Sequence, residues 1–236
     1  AIALGRNPST VGSSFWDCRI IEVEPTGMGT GNIVWEWHAT DHAVQDFDST
    51  KANYGVIGAN PRKFNINYPN AMDVDWMHVN GIEYNEALDQ ILLSSHRFCE
   101  VWIIDHSTTT LQAANHSGGN SGKGGDILYR WGNPQAYGNG SNANRKFWLQ
   151  HDARWIENGF PFANQIMIYN NGNSRTGGNY TTVEIINPPV VGYNYTSTLP
   201  YLPNTQSWIY NQGNPYNYYA QNISGSQQLS NGNVLI

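Results

Sequence analysis

Charge is scarce in this chain: Asp, Glu, Lys and Arg make up 13% of its 236 residues, about half the usual share. The net charge is −6, and no cluster of Lys and Arg occurs, alone or interleaved with aromatics. Nucleic acid is therefore not an expected partner, nor is an anionic membrane surface. No apolar run approaches the ~20 residues of a membrane-spanning helix. No signal peptide is present, and the chain starts at Ala1 without Met, as a processed or partial chain would. Cysteine is limited to Cys18 and Cys99. Neither belongs to a C-x-x-C pair, so no metal site is expected, and two isolated cysteines leave a disulfide open. Helical periodicity is nearly absent; only Asp46 to Asn53 reads as a short helix.

What is present is a globular composition, 39% apolar and 13% aromatic, in which Asn, Gly, Ser, Thr and Gln take over the solubilising role of charge. That style is common in secreted β proteins and points to an extracytoplasmic location: periplasm, cell surface or medium. Five N-x-S/T sequons, at Asn115, Asn139, Asn179, Asn194 and Asn222, permit glycosylation without showing it.

Apolar residues come in runs of four to seven, rich in Ile, Val, Tyr and Trp and separated by Gly, Asn, Pro and Ser. This is the pattern of strands and turns. The blocks HVNGIEYN from His78, HDARWIEN from His151 and SGSQQLSN from Ser224 repeat at an offset of 73 residues. Each leads into a second strand: QILLSS, QIMIYN and NVLI. The first two units continue with EVWIID and DILYRWGNP, and with TTVEII and SWIYNQGNP. WDCRIIEVEP and GNIVWEWH resemble the last two strands of an earlier unit. Four-stranded units in tandem predict an all-β fold of β-propeller type with antiparallel blades; six blades are expected in the full protein. The chain is read as a single partial domain, 1–236. It would hold the c and d strands of one blade (15–40), full blades at 77–134 and 150–215, and the a and b strands of another (223–236). A ring of this content cannot close by itself.

Innermost propeller strands share a central funnel, so His78 and His151, at the head of equivalent strands, are expected to face it together. They read equally as catalytic groups or as hydrogen-bonded caps. Asn80, Asp152 and Asn171 accompany them as candidate substrate-binding residues. Arg97 and Arg175 offer planar forks for an oxyanion; a surface salt bridge is the favoured reading for Arg97 and the oxyanion for Arg175. His38, His42, His96, His106 and His116 are weaker candidates, and the His38–His42 spacing is discounted because it falls at a strand end. The loop GGNSGKGG around Lys123 lacks Walker spacing and is read as flexible.

Several long motifs carry a resemblance. LGRNPST, FWDCRIIEVEP, GNIVWEWHATDH, DWMHVNGIEYNEALDQILLS, GKGGDILYRWGNPQAYG and QHDARWI together resemble the bacterial PAPS-independent arylsulfotransferase family, over nearly the whole chain. The resemblance implies sulfuryl transfer from a phenolic sulfate ester to a phenol acceptor, without a cofactor, through a transiently sulfated histidine. Other histidines would move the phenol proton. His78 and His151 match funnel histidines of that family, and Arg175 the sulfate-binding arginine. The departure is at the third block, where the expected nucleophilic histidine is replaced by Ser224 to Gln227. The alternative is a catalytically silent secreted propeller, acting in binding, adhesion or surface assembly, with homo-oligomerisation open.

Overall fold

The structure, a computed structural model, describes residues 1–69, 72–211, 213 and 215–236. Two compact units divide the chain: Ala1–Trp76, Ile104–Leu128 and Ala136–Gly138 form the first, and Met77–Ile103, Tyr129–Gln135 and Asn139–Ile236 the second.

In the first unit, β1 (Arg19–Gly27) and β2 (Thr30–His38) form an antiparallel hairpin, as WDCRIIEVEP and GNIVWEWH predict. The tryptophans at alternate positions of β2 anchor it. Trp35 and Trp37 are both buried, and their indole N–H groups donate to Thr108 Oγ1 at 3.1 Å and to the Gly125 carbonyl at 2.8 Å. Two short strands, β3 (Ala43–Val44) and β4 (Phe64–Asn65), pair in parallel. The predicted helix over Asp46 to Asn53 is not formed; the segment is a series of turns. The buried Gln45 side chain accepts from the Phe47 and Asp48 amides at 2.7 Å each, and Asp48 Oδ1 accepts from the Thr50 amide at 3.0 Å. Side chains thus take the backbone donors that a helix would have used.

The glycine-rich loop is not loose either. A short helix, α1 (Pro8–Val11), lies near the chain start, and another, α2 (Thr110–Ala113), opens this loop with a Thr109/Gln112 capping box. Asp105 then gathers the loop: its two carboxylate oxygens accept from the Ser107 amide at 3.0 Å and the Ser121 amide at 2.9 Å. The Gly124 and Gly125 amides donate to the Gly118 and Asn115 carbonyls at 3.0 Å each.

The second unit carries two four-stranded antiparallel sheets. The first runs in chain order through β5 (Val79–Asn85), β6 (Gln90–Ser95), β7 (Glu100–Asp105) and β8 (Tyr129–Trp131). The second runs through β9 (His151–Trp155), β10 (Ile166–Asn170) and β11 (Thr182–Ile186). It skips a small hairpin of β12 (Val190–Val191) and β13 (Asn194–Tyr195), and ends on β14 (Trp208–Tyr210). SWIYNQGNP continues past this strand to Gln212 and Asn214, which lie outside the described residues. The central strands β6, β7, β10 and β11 are buried at every residue. Covered on both faces, they carry near-continuous apolar runs and not alternation, and so are legible from composition alone. The third block supplies only a two-residue pair, β15 (Gln227–Gln228) with β16 (Val234–Leu235).

One ion pair lies in the first sheet of this unit. Glu100 and Arg130 are fully buried, and Arg130 Nε donates to Glu100 Oε1 at 3.0 Å while Nη2 pairs with Oε2. Trp102 Nε1 donates to Oε2 at 3.0 Å. Burial pushes the Glu100 pKa up and Arg130 works against it. Cys18 and Cys99 are free thiols, each with its pKa raised by burial, that of Cys18 to about 12. Among the described residues, no helix is long and apolar enough to cross a membrane.

Candidate functional site

Strand pairing fixes how the repeats align. Tyr84 and Trp155 face the matching Ile91 and Ile166, and Glu83 and Arg154 face the matching Leu92 and Met167. Along β5 and β9 the offset is therefore 155 − 84 = 71 residues, not the 73 that separates the two histidines. The expected equivalence of His78 and His151 is corrected accordingly. His78 corresponds to Leu149, and both hold the left-handed conformation at φ 46° and 56°. By the 71-residue offset His151 falls on Asn80, with a register shift setting it opposite Tyr169 in its own sheet. The a–b turn of the second sheet is four residues longer (155 to 166 against 84 to 91), which hides the difference.

The two histidines nevertheless meet, through a third. His78 precedes β5, and its carbonyl accepts from the His96 amide at 3.1 Å just past β6. The His78 and His96 rings lie 4.8 Å apart, and the His96 and His151 rings 5.2 Å apart in an edge arrangement. The sequence ranks His96 among the weaker candidates. The signal for it is its place at the exit of β6, beside the candidate Arg97 and matching the place of Asn171 after β10 in the other sheet.

Asn171 is buried and fully bonded. Its amide nitrogen donates to the Ala220 carbonyl at 2.9 Å and the Ile223 carbonyl at 3.0 Å, so its Oδ1 must be the atom 2.7 Å from His151 Nδ1. An amide oxygen only accepts, hence Nδ1 carries the proton and Nε2 the lone pair. Burial lowers the His151 pKa and His78 adds to the effect, while the hydrogen bonds to Asn171 and to the Leu149 backbone and the charge of Asp152 oppose it. The Asn171 bond thus selects the Nδ1-protonated tautomer of the neutral His151 ring.

A buried glutamine sets where His151 sits. Gln150 Nε2 donates to the Ser95 and Glu100 carbonyls at 2.9 and 2.8 Å. Asn80 Nδ2 donates in turn to the Gln150 carbonyl at 2.8 Å. Asn80 therefore latches the segment before His151, and its buried Oδ1 has no partner among the described residues.

The remaining candidates divide. Arg97 is half-buried next to His96, with its amide donating to the Met77 carbonyl at 3.3 Å. Arg175 lies between two aromatic faces, 4.7 Å from the Trp148 centroid and 4.1 Å from that of Tyr180, with Nη2 donating to Thr182 Oγ1 at 3.3 Å. Burial lowers its pKa, with Glu184 acting the other way. Asp152, in the left-handed region at φ 50°, pairs with Arg154 and accepts from the Ser226 amide at 2.8 Å, which ties the third repeat block to β9. A cavity of ≈ 760 Å³ in this unit is lined by Phe162, Ile185, Trp208, Tyr218 and Val234 among others, and by none of the candidate residues.

A cluster of three imidazoles, one of them fixed as an unprotonated nitrogen base, can attack an electrophile and move protons. No curated protein matches the chain. The family model described as arylsulfotransferase (ASST) matches residues 9–236, nearly the full length, so the chain belongs to the arylsulfotransferase family.

Proposed function

We propose that this chain carries the transfer centre of a β-propeller arylsulfotransferase that works through a sulfohistidine, with His151 as nucleophile. The observation that carries the reading is the Asn171 amide: both its N–H bonds are committed to backbone, which leaves His151 Nε2 as a lone pair. In the first half-reaction Nε2 attacks the sulfur of a phenolic sulfate ester. The N–S bond forms, the S–O(aryl) bond breaks, and the departing phenolate takes a proton from His78 or His96. In the second, an acceptor phenol gives its proton to the same base and attacks sulfur, and the N–S bond breaks. No group outside the chain is needed to balance either step.

Of the two arginines, Arg97 follows His96 directly and takes the oxyanion role, where a planar fork suits three sulfuryl oxygens. Arg175, gripped by Trp148 and Tyr180, positions the loop after β10. The propeller reading rests on two antiparallel four-stranded meanders whose first strands pack together, with the Trp155 amide donating to Glu83. Such units are propeller blades in their simplest description. Low charge and abundant Asn, Gly and Ser support an extracytoplasmic location.

The test is an assay with a chromogenic aryl sulfate and a phenol acceptor, coupled to mass analysis of the quenched enzyme. Wild type should transfer and carry a sulfuryl group on the His151 peptide. Asn171→Leu keeps the histidine but frees its tautomer, and kcat should fall by roughly 10²-fold or more with KM little changed. Sulfation on another residue, or full activity in His151→Ala, would remove His151 from the role.

A further inference from the structure

The first unit contains a second histidine cluster that the transfer chemistry does not use. His42 is fully buried under Trp37, ring on ring at 5.8 Å and 7°. Its Nε2 lies 2.8 Å from the Ala113 carbonyl, an atom that only accepts, so Nε2 carries a proton. Its Nδ1 then faces Asp126 Oδ1 at 2.8 Å. That contact is closed either by a shared proton or by a metal cation that takes both atoms as ligands. His116 Nδ1 converges on the same Oδ1 at 2.7 Å, and the three ligand atoms lie within 4.8 Å of one another.

The surroundings are already built. A metal-binding histidine ordinarily donates its other ring N–H to a carbonyl or carboxylate, which sets the tautomer and aims the ligating nitrogen. Ala113 does this for His42. Gly125, just before Asp126, leaves no room for a side chain: a Cβ there would strike the Ala113 carbonyl and come within 2.6 Å of His42 Nε2. Its carbonyl accepts from Trp37 Nε1 at 2.8 Å, so the indole that covers His42 also pins the turn carrying Asp126. Two ligands are thus buried and held in place, while the third, His116, is half-exposed and gives an entry path. Lys63 Nζ, 3.5 Å from His116 Nε2, brings an unfavourable charge to that ring.

We propose that His42 Nδ1, His116 Nδ1 and the Asp126 carboxylate bind a borderline divalent transition-metal cation, zinc above all, with solvent completing a tetrahedron. Two imidazoles and one carboxylate form a donor set suited to zinc and poor for calcium or magnesium. None of the candidate transfer residues is among these ligands, and the cation would clamp the glycine-rich loop, which carries His116 and Asp126, onto the turn at His42.

The test uses the whole chain, stripped with chelator and titrated with zinc sulfate by calorimetry and thermal melting. Wild type should take up one equivalent and melt at a higher temperature with zinc than without. His116→Ala alters the exposed ligand alone. It should melt like wild type without zinc and bind zinc at least ~tenfold more weakly. His151→Ala, which disturbs the other histidine cluster, should bind zinc as wild type does. Equal zinc binding in wild type and His116→Ala, with loss in His151→Ala, would assign the metal to the transfer histidines and overturn the proposal. Absence of zinc uptake in wild type would overturn it too, and would leave His42 and Asp126 as a proton-bridged ion pair.

Discussion

At the scale of single residues, the chemistry hangs on the protonation of His151. Burial and the neighbouring His78 lower its folded-state pKa below the ordinary ~6.5 of an unfolded chain. The neutral form therefore persists in the folded protein at pH values where a free histidine has charged. The acidic limb of kcat/KM for aryl-sulfate cleavage should accordingly fall below ~6.5. The linked effect on stability has a definite sign. Because the unfolded chain binds the proton more readily, the contribution is complete above ~6.5 and is lost as pH falls through the folded-state value. Urea unfolding at stepped pH should show this slope in wild type and a shallower one in His151→Gln. An unchanged slope would mean that His151 titrates normally. His78, His151 and Asn171 were legible as candidates from residue type and their place at strand ends, while the 73-residue spacing is not what brings the histidines together. His96 was not legible, because a histidine at a strand end looks the same in sequence whether it stacks on a neighbour or points to water. Asp152 was misleading for the opposite reason. It borders His151 in the chain, yet its left-handed backbone coincides with bonds to Arg154 and Ser226.

At the scale of elements, buried strands were readable and turns were not. QILLSS and EVWIID match β6 and β7 residue for residue, since a strand covered on both faces is a bare apolar run with turn residues at either end. The a-strand register escaped because two differently long a–b turns carry the same closing Asn, so a constant 73-residue offset hid a 71-residue ladder. The turn after β10 shows what sequence patterns omit. Gly172 is left-handed at φ 73°, and a Cβ there would drive into the Tyr180 carbonyl. That close approach places the Tyr180 ring over Arg175 and lets the Gly172 amide donate to the Trp148 carbonyl at 3.0 Å. Gly172→Ala should thus combine backbone strain with a steric clash and cost about 2–4 kcal/mol. Denaturant midpoints would measure it, and the same variant should weaken the donor KM more than Arg175→Lys does. A loss under ~0.5 kcal/mol would show that the loop re-forms elsewhere.

At the scale of the molecule, the second unit is unusual in relying on buried polar links as well as on apolar packing. Gln150 bonds carbonyls of Ser95 and Glu100, Asn80 bonds the carbonyl of Gln150, and Glu100 carries Arg130 and Trp102. One continuous network therefore runs from β8 to the histidine at the head of β9. The low overall charge makes this legible in hindsight: with 13% charged residues, a Glu and an Arg inside adjacent strands of an apolar sheet stand out as a pair. A buried ion pair of this type adds little net stability, but breaking one half leaves an uncompensated charge. Arg130→Met should therefore destabilise by about 3–5 kcal/mol, and the fully buried Glu100, whose pKa burial already raises, should take up a proton in that variant. Arg130→Met with Glu100→Leu should recover most of the loss, because apolar groups of similar volume satisfy the same space. The double variant should also keep transfer activity if the Gln150 bonds, which go to backbone, are enough to hold His151. Recovery of stability without recovery of kcat would instead place the Glu100–Arg130 pair among the groups that position the nucleophile.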